Sequence, residues 1–200
     1  SAGLLDAEKE DAYFKDLKFR YFYLLHKYQI EKSFIEPVQF FKHRPDNFPT
    51  IRLSQLANLF HKQQNLFSKV SNMNAIEVIY EIFQVSATSY WETHYQFDKE
   101  SPKKKKALSK SFMDLLILNT VIPLQFAYAK SVGKEASEDL ITVLNDVEAE
   151  KNSIVEKFSS FGIKAKNAFE TQSLLQLKNE YCNKNKCLDC AIGVELLKTN

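Results

Sequence analysis

The stretch that decides the fold is Phe112–Ala129, which reads FMDLLILNTVIPLQFAYA. Its apolar character is interrupted at Asp114, Asn119, Thr120 and Pro123. A segment of this length that is apolar on most sides predicts a buried core helix. Because proline removes a backbone hydrogen bond and clashes with the preceding turn, Pro123 predicts a kink or a division into two helices. We therefore expect an all-α fold, a single multihelical bundle around a central apolar helix at about residues 112–130.

Helical patterns continue on both sides of this segment. Asp6 to about Ile30 predicts one long helix, and Thr50 predicts the cap of a second. The apolar residues of the second helix recur at helical spacing and are expected to face the core: Leu53, Leu56, Ala57 and Phe60. Two capping-box pairs predict further helix starts, and two glycines predict helix ends. They are Asn74 with Glu77, Asn167 with Glu170, and Gly133 and Gly162.

Residues 98–110 break the helical pattern, since Ser101-Pro102 is followed by the four lysines Lys103 to Lys106. This composition predicts an exposed loop. The pattern of Ser86–Phe97, just before it, is compatible with a helix. Because the sequence shows neither an internal repeat nor a second core, we expect one helical domain over residues 1–200.

Glycine is scarce, at four of the 200 residues, where average usage is about 7%. The four glycines lie far apart in the chain. The chain therefore lacks the paired glycines of dinucleotide-binding loops, phosphate-binding loops and hydrolase nucleophile elbows. This excludes those enzyme classes and favours a non-catalytic function.

Charge is nearly balanced, with 27 Lys and Arg against 25 Asp and Glu. A net charge of +2 gives no field over the whole protein for nucleic acid or an anionic membrane, although a local patch can still bind. The longest apolar run, Leu115–Leu118, is far shorter than the roughly 20 residues of a membrane span. No signal-peptide pattern is present at the N-terminus. We expect a cytoplasmic protein with no membrane partner.

Three cysteines lie within nine residues of one another: Cys182, Cys187 and Cys190. Cys187 and Cys190 have the spacing of two ligands to one metal, and Cys182 is placed to supply a third. Zinc or an iron–sulfur cluster needs a fourth ligand, which must be a histidine, a water or a group outside this chain. The alternative is three reduced cysteines, or one incidental disulfide, at a joint between helices.

A proline-framed loop, His43–Arg52, leads into the predicted second helix. Arg44 and Arg52 would lie near the helix start, where backbone N–H groups and guanidinium groups both favour anions. The loop therefore predicts binding of a phosphate or carboxylate. The alternative is that one arginine pairs with an internal carboxylate and holds the loop against the core.

Aromatic and amide side chains suggest a second candidate site. On a helix, Trp91, His94 and Tyr95 would share one face. They form either a platform for a base or ring, with His94 as acid or base, or an ordinary core whose polar tips have internal partners. Asn119 and Gln125 either line a polar pocket or hydrogen-bond to a neighbouring helix.

Several stretches together resemble the C-terminal half of an uncharacterised bacterial family, the domain of unknown function DUF2851. They are Arg44–Leu53, Tyr90–Trp91 with His94–Tyr95, Asn119–Pro123, Glu150–Asn152 and Tyr181–Gly193. The likeness covers nearly the whole chain. Its opening residues resemble mid-chain sequence of the family, which implies that an N-terminal half is missing here.

The resemblance also carries implications for activity. The preceding half of longer family members resembles PD-D/ExK nucleases, so any nuclease carboxylates and lysine would lie there. Some proteins of that superfamily bind a C-terminal group of three cysteines and one earlier cysteine to an iron–sulfur cluster. By this analogy the three cysteines would take their fourth ligand from the missing half. Their spacing, four residues and then two, differs from those arrangements.

We expect a non-catalytic helical module of a nuclease-like protein. It would bind nucleic acid through Arg44 and Arg52, or hold the two halves together. One alternative is an enzyme, which requires that Trp91, His94, Asn119 and Gln125 converge on one cleft. Another is a structural or protein-interaction module, whose sign would be an exposed apolar patch on the first helix, where the missing half would dock.

Overall fold

The computed structural model describes residues 3–31, 36–73 and 75–198. Over these residues the chain forms helices joined by turns, with one two-stranded sheet, so the expected all-α class is confirmed. The chain divides into two compact units. Unit 1 comprises Ser1–Leu66 and Ile82–Ser109, and unit 2 comprises Phe67–Glu81 and Lys110–Asn200. The expected single domain stays a prediction.

The first helix of unit 1, α1, spans Ala12–Tyr28. The carboxylate of Asp11 accepts a hydrogen bond from a backbone N–H of the first turn at 3.0 Å, which fixes the helix start. The preceding residues lie outside the helix, where Lys18 holds them through an ion pair to Glu8 at 2.6 Å. The predicted start at Asp6 is therefore wrong.

The second helix, α2, spans Pro49–Lys62 and has no side-chain cap. The hydroxyl of Thr50 donates instead to the carbonyl of Tyr95 at 2.6 Å, so its prediction as the cap is wrong. The predicted core face is also wrong. Leu53, Leu56, Ala57 and Phe60 are exposed, whereas Ile51, Gln55 and Leu59 are buried.

Hydrogen bonding explains which face of α2 is buried. The amide of Gln55 donates to the carbonyl of Lys106 at 3.0 Å, and the amide of Asn58 donates to the carbonyl of Ser86 at 2.8 Å. These two bonds supply donors to backbone carbonyls of a neighbouring irregular segment, which lacks the regular hydrogen bonds of a helix or sheet. The side of α2 that carries Gln55 therefore packs inwards together with Ile51 and Leu59, and the stripe of Leu53, Leu56 and Phe60 faces outwards.

Ser86–Phe97 forms no α-helix. It contains a 3₁₀ turn, Ser89–Glu92, and the first strand of a hairpin, β1 at His94–Gln96. β1 pairs antiparallel with β2, Lys99–Glu100. The chain then returns alongside, with the N–H of Ala87 donating to the carbonyl of Lys106 at 2.9 Å. Most of residues 98–110 are exposed, but Lys106 is buried.

Unit 2 begins with α3, Leu66–Ser71, whose first residue belongs to unit 1, and α4, Ile76–Phe83. Asn74, the predicted cap of α4, lies outside the described residues. The apolar segment forms one continuous helical rod: α5, Lys110–Leu116, a π-helical turn, Ile117–Val121, and α6, Ile122–Ser131.

The π-helical turn stands where the sequence predicts a kink. The N–H of Ile122 donates to the carbonyl of Ile117, five residues back, directly before Pro123. A π-turn is a recognised way to accommodate such an interruption. By length and composition alone, Lys110–Ser131 is long and apolar enough to cross a membrane, a property that buried core helices share. The absence of a membrane partner stays a prediction.

The rest of unit 2 is helical. Its elements are α7, Ser137–Asp146; α8, Ser153–Ser160; α9, Ala168–Gln176, continued by a π-turn, Leu177–Cys182; a 3₁₀ turn, Cys187–Asp189; and α10, Ala191–Lys198. Gly133 and Gly162 follow α6 and α8 with φ of 71° and 85°, so both predicted helix ends are confirmed. The carboxamide oxygen of Asn167 accepts the N–H of Glu170 at 2.9 Å and caps α9 as predicted.

Candidate functional site

The aromatic residues singled out in the sequence belong to the core of unit 1. Trp91 is buried with Ile51 and Ala87. The ring of Tyr90 is stacked between those of Tyr13 and His94, with centroids 4.1 Å away on each side. The expectation that Trp91, His94 and Tyr95 share a helical face is wrong, because the chain there is a 3₁₀ turn and a strand.

His94 is held by its own neighbourhood. Its Nδ1 lies 3.0 Å from the hydroxyl of Thr93 and 3.1 Å from the carbonyl of Tyr90. One face of the imidazole is stacked on Tyr90, and its Nδ1 lies within hydrogen-bond distance of neighbouring residues, as is typical of a histidine that contributes to the fold. This geometry favours the core interpretation over that of an acid or base.

A hydrogen bond links the stack to the start of α1. The hydroxyl of Tyr90 donates to Oδ2 of Asp11, the capping carboxylate. Burial and this bond raise the pKa of Tyr90 above its usual value. For Asp11, partial burial acts to raise the pKa, but the bonds from Tyr90 and from backbone N–H groups outweigh it and lower the pKa. The pair is therefore phenol and carboxylate at neutral pH.

The proline-framed loop and the lysine run meet around Asp46. Its carboxylate accepts the Lys104 ammonium at 2.6 Å and the Tyr95 hydroxyl at 3.0 Å. The bond from Lys104 is the main reason that the pKa of Asp46 lies below its usual range. The contact brings Lys104 to the loop that carries Arg44. Arg44, Lys103, Lys104 and Lys105 are all exposed, and we call these four residues the basic surface.

The next lysine has a different environment. Lys106 is 3% exposed, and its ammonium donates to the carbonyls of Trp91 and Glu92 while lying 4.0 Å from the centroid of the Tyr95 ring. Burial lowers its pKa. Nothing in the lysine run distinguishes Lys106 from its neighbours, so sequence reasoning could not identify it as an internal residue.

The two candidate anion-binding arginines differ in the structure. Arg44 is exposed, whereas Arg52 is half-buried and donates to the carboxamide oxygens of Asn47 and Gln55 at 2.5 and 2.8 Å. Burial lowers the pKa of Arg52. Arg52 holds the loop to α2 through the carboxamides of Asn47 and Gln55, which favours the alternative of a structural arginine.

Asn119 and Gln125 lie in unit 2, whereas Trp91, His94 and Tyr95 lie in unit 1. Asn119 is exposed and donates to the carbonyl of Leu115 at 2.9 Å. Gln125 is buried and donates to the carbonyls of Val70 and Met73 at 2.7 and 2.6 Å. Gln125 therefore bonds to α3 and the residues after it, as the alternative of a bond to a neighbouring helix expects. Asn119 bonds within its own helical segment and not to a neighbouring helix.

The three cysteines are reduced, with Cys182 and Cys187 exposed and Cys190 buried. Among the described residues, no group of three or more His, Cys, Asp or Glu side chains is arranged to hold a metal ion. The structure therefore lends no support to a zinc or iron–sulfur site within the described chain.

Exposed apolar side chains are the prominent feature of α1. Phe19 is 73% exposed, and Tyr23, Leu24 and Tyr28 are each exposed over more than two-fifths of their surface. We call these four residues the α1 surface. An exposed apolar patch on the first helix is the sign that the sequence analysis gives for a protein-interaction module.

These observations describe a helical chain with exposed apolar faces, in which Trp91, His94 and Gln125 make contacts inside their own units. The profile of the family described as "Protein of unknown function (DUF2851)" matches residues 1–153, and the chain belongs to that family. The match ends before the cysteine segment, so the likeness is shown for residues 1–153 and not for nearly the whole chain. No curated protein and no solved structure matches the chain.

Proposed function

We propose that this chain is a non-catalytic helical module that docks a partner domain through the α1 surface. The observation that carries the proposal is the exposure of Phe19, Tyr23, Leu24 and Tyr28 on one helix. Large exposed apolar areas on a protein surface mark sites of interaction with a partner.

The arrangement of α1 supports this role. Phe14 is fully buried near the start of the helix, so that side already belongs to the core of unit 1. Phe19 and Tyr23 lie four residues apart on another side, and Leu24 and Tyr28 form a second such pair. A helix that is apolar on more than one side is normally buried in a larger core. In the structure these four side chains are not buried.

A second apolar face in unit 1 adds to the argument. Leu53, Leu56 and Phe60 recur along α2 and are exposed, while the opposite side of α2 makes hydrogen bonds inside the unit. A partner that covered these helices would remove water from large side chains, at about 25 cal/mol for each Å² of apolar surface buried.

The partner that we propose is the nuclease-like half implied by the family resemblance. When that half is produced separately from a longer family member, it should bind this chain in isothermal titration calorimetry. Phe19→Asp and Tyr23→Asp should each weaken binding at least tenfold. Phe161→Asp is the control, because Phe161 is 71% exposed in unit 2 and lies outside the α1 surface.

Two results would overturn the proposal. One is equal binding by Phe19→Asp and Phe161→Asp, which would place the interface elsewhere. The other is a stable dimer of the chain, abolished by Phe19→Asp in sedimentation analysis, because a second copy would then occupy the α1 surface. Unfolding curves of each variant separate a loss of binding from a loss of folding.

The basic surface favours a second candidate function, binding of the nucleic-acid backbone. Asp46 draws Lys104 and its neighbours to the loop that carries Arg44. Clustered Lys and Arg side chains are the electrostatic feature of phosphate-backbone binding, which weakens with salt. The pairing of Lys103 with Glu92 at 3.6 Å and of Lys104 with Asp46 reduces the charge available.

Fluorescence anisotropy with labelled single- and double-stranded DNA at low salt tests this candidate. Arg44→Ala with Lys105→Ala should weaken binding, and Lys130→Ala, an exposed lysine of unit 2, should leave it unchanged. Absence of binding at low salt would remove the candidate. The Arg52→Ala variant is unsuitable, because Arg52 holds the loop to α2.

A further inference from the structure

A cavity in unit 2 combines an apolar wall with two lysines. It has a volume of about 390 Å³ and is lined by α8, the residue after α8, and the π-turn Leu177–Cys182. The lining residues that bear on a ligand are Ile154, Lys157, Phe158, Phe161, Lys178 and Cys182. The volume lies in the range of small-molecule binding sites.

The apolar wall comes from one side of α8 and the residue after it. Ile154 and Phe158 lie four residues apart, and Phe161 follows three residues later, so helical spacing places the three side chains together. Ile154 and Phe158 are half-buried, and Phe161 is 71% exposed. The wall is therefore apolar surface that unit 2 leaves in contact with water, and a ligand that covered it would be stabilised by its burial.

The two lysines give the cavity a positive charge. Among the described residues, the side chains of Lys157 and Lys178 have neither an ion pair nor a hydrogen-bond partner. The acidic residue of the π-turn, Glu180, pairs with Lys184 instead. No Asp or Glu is among the described residues that line the cavity. Two uncompensated cations therefore stand beside the apolar wall.

The start of α8 also borders the cavity, but its backbone is already engaged. The carboxamide oxygen of Asn152 accepts the N–H groups of Ile154 and Val155 at 3.1 and 3.0 Å. The donors that remain for an anion are thus the lysine ammonium groups. A lysine stem lies along apolar surface while its ammonium stays in water, which puts the positive charge at the rim and the apolar surface below it.

We propose that this cavity binds a small amphipathic carboxylate, whose hydrocarbon chain covers Phe158 and Phe161 and whose carboxylate pairs with the lysines. An apolar wall alone would accept any hydrophobic group, and lysines alone would attract any anion. Together they select a molecule with one apolar and one anionic end. The volume is that of about a dozen water molecules at about 30 Å³ each, which favours a chain of medium length. This site is independent of the α1 surface and of any partner domain.

Isothermal titration calorimetry on the intact chain tests the proposal with octanoate as the probe. 1-Octanol has the same chain without charge, octylammonium carries the opposite charge, and acetate lacks the chain. We expect octanoate to bind, and each of the other three to bind at least tenfold more weakly or not at all. Absence of octanoate binding would overturn the proposal. Equal binding of octanol would show an unselective apolar surface, and equal binding of acetate a general attraction of anions, and either result would also overturn it.

Lysine variants test the charge. Lys157→Gln should weaken octanoate binding at least fivefold, and this side chain is exposed, so the fold should be unaffected. Lys164→Gln is the matched control, because Lys164 is an exposed lysine of unit 2 that does not line the cavity. Equal effects of the two variants would contradict a defined carboxylate position. Lys178→Gln should act as Lys157→Gln does, with thermal unfolding to confirm its folding.

The cysteines report where the ligand lies. Cys182 and Cys187 are both exposed, but only Cys182 lines the cavity. Saturating octanoate should slow the alkylation of Cys182 by iodoacetamide at least fivefold and leave that of Cys187 unchanged. Slowing of both thiols, or of neither, would contradict binding in this cavity. A stable dimer of the chain that Phe161→Asp abolishes in sedimentation analysis would show that a second copy covers the wall, and would overturn the proposal as well.

Discussion

The hydroxyl of Tyr90 donates a hydrogen bond to the carboxylate of Asp11, the residue that caps α1. The two residues are 79 positions apart in the sequence. One oxygen of Asp11 serves the helix backbone and the other serves the phenol, so a single side chain both starts α1 and attaches it to the aromatic core. The α1 surface therefore projects from a helix whose first turn is anchored.

Removing the phenol hydroxyl should loosen that anchor. We expect Tyr90→Phe to lower the free energy of unfolding by about 1.5 kcal/mol, because the lost bond has a charged acceptor. Urea unfolding at pH 7 measures the change, with the exposed Tyr23→Phe as a control that should have little effect. No difference between the two variants would show that the bond does not stabilise the fold.

The same pair predicts a dependence on acid. Because the folded-state pKa of Asp11 is lowered, its contribution to stability is present above the ordinary carboxyl value of 3.8 and is lost as pH falls through the folded pKa. The stability difference between the unmodified chain and Asp11→Asn should therefore be constant near neutral pH and shrink below about pH 4. A difference that grew on acidification would contradict this sign.

The internal lysine gives a comparison between adjacent residues. Lys106→Met leaves the carbonyls of Trp91 and Glu92 without their donor, which should cost about 2 kcal/mol of unfolding free energy. Lys105→Met, one position earlier, changes an exposed side chain and should have almost no effect. Chemical denaturation of the two variants measures both values, and equal stabilities would show that Lys106 is not a structural residue.

Tyr80 predicts an alkaline transition in unit 2. Burial, together with its hydrogen bond to Asp114 at 2.5 Å, raises the pKa of Tyr80 to about 12. A raised pKa means that its contribution to stability is complete below the ordinary value of 10.0 and is lost as pH rises to about 12. The stability difference between the unmodified chain and Tyr80→Phe should fall across that range. Unfolding measurements at a series of pH values test this. A stability difference between the two proteins that did not change with pH would contradict a raised pKa of Tyr80.

Gly193 predicts a change in thiol reactivity. A Cβ atom at this position would lie 2.3 Å from the carbonyl oxygen of Cys187, so Gly193→Ala must displace α10 from the preceding turn. Cys190, which is buried, should then react with a thiol reagent at least tenfold faster. Gly133→Ala strains a helix end without a nearby atom and should leave Cys190 slow. Equal Cys190 rates in the two variants would mean that the contact is not restrictive.

Local sequence rules predicted the elements that local chemistry determines. Gly133 and Gly162 end helices because a left-handed backbone conformation suits glycine, and Asn167 caps α9 through its own side chain. The apolar segment at 112–129 is helical, as its length and apolar pattern predict. Each of these inferences depends on a few consecutive residues.

The wrong predictions for α2 and for residues 86–97 have a different cause, which is hydrogen bonding between segments that are distant in the sequence. The amide of Gln55 donates to the distant carbonyl of Lys106, so this side of α2 is buried and the stripe of Leu53, Leu56 and Phe60 faces outwards. The segment that contains Trp91 and His94 forms a turn and a strand because the carbonyls of residues 92 and 93 accept N–H groups of residues 104 and 101. His94 itself pairs with Glu100 in the hairpin. Periodicity identifies an apolar face, but it does not say whether that face is covered by the same chain or by another.

The central claim is that the α1 surface is where a partner domain docks, and hydrogen exchange tests it most directly. Backbone amide exchange of the chain should be compared with and without the partner half that we propose. We predict that exchange slows at residues 19–28 of α1 and is unchanged in α8, which precedes the equally exposed Phe161. Binding that left α1 exchange unchanged, or that slowed α8 instead, would contradict the account.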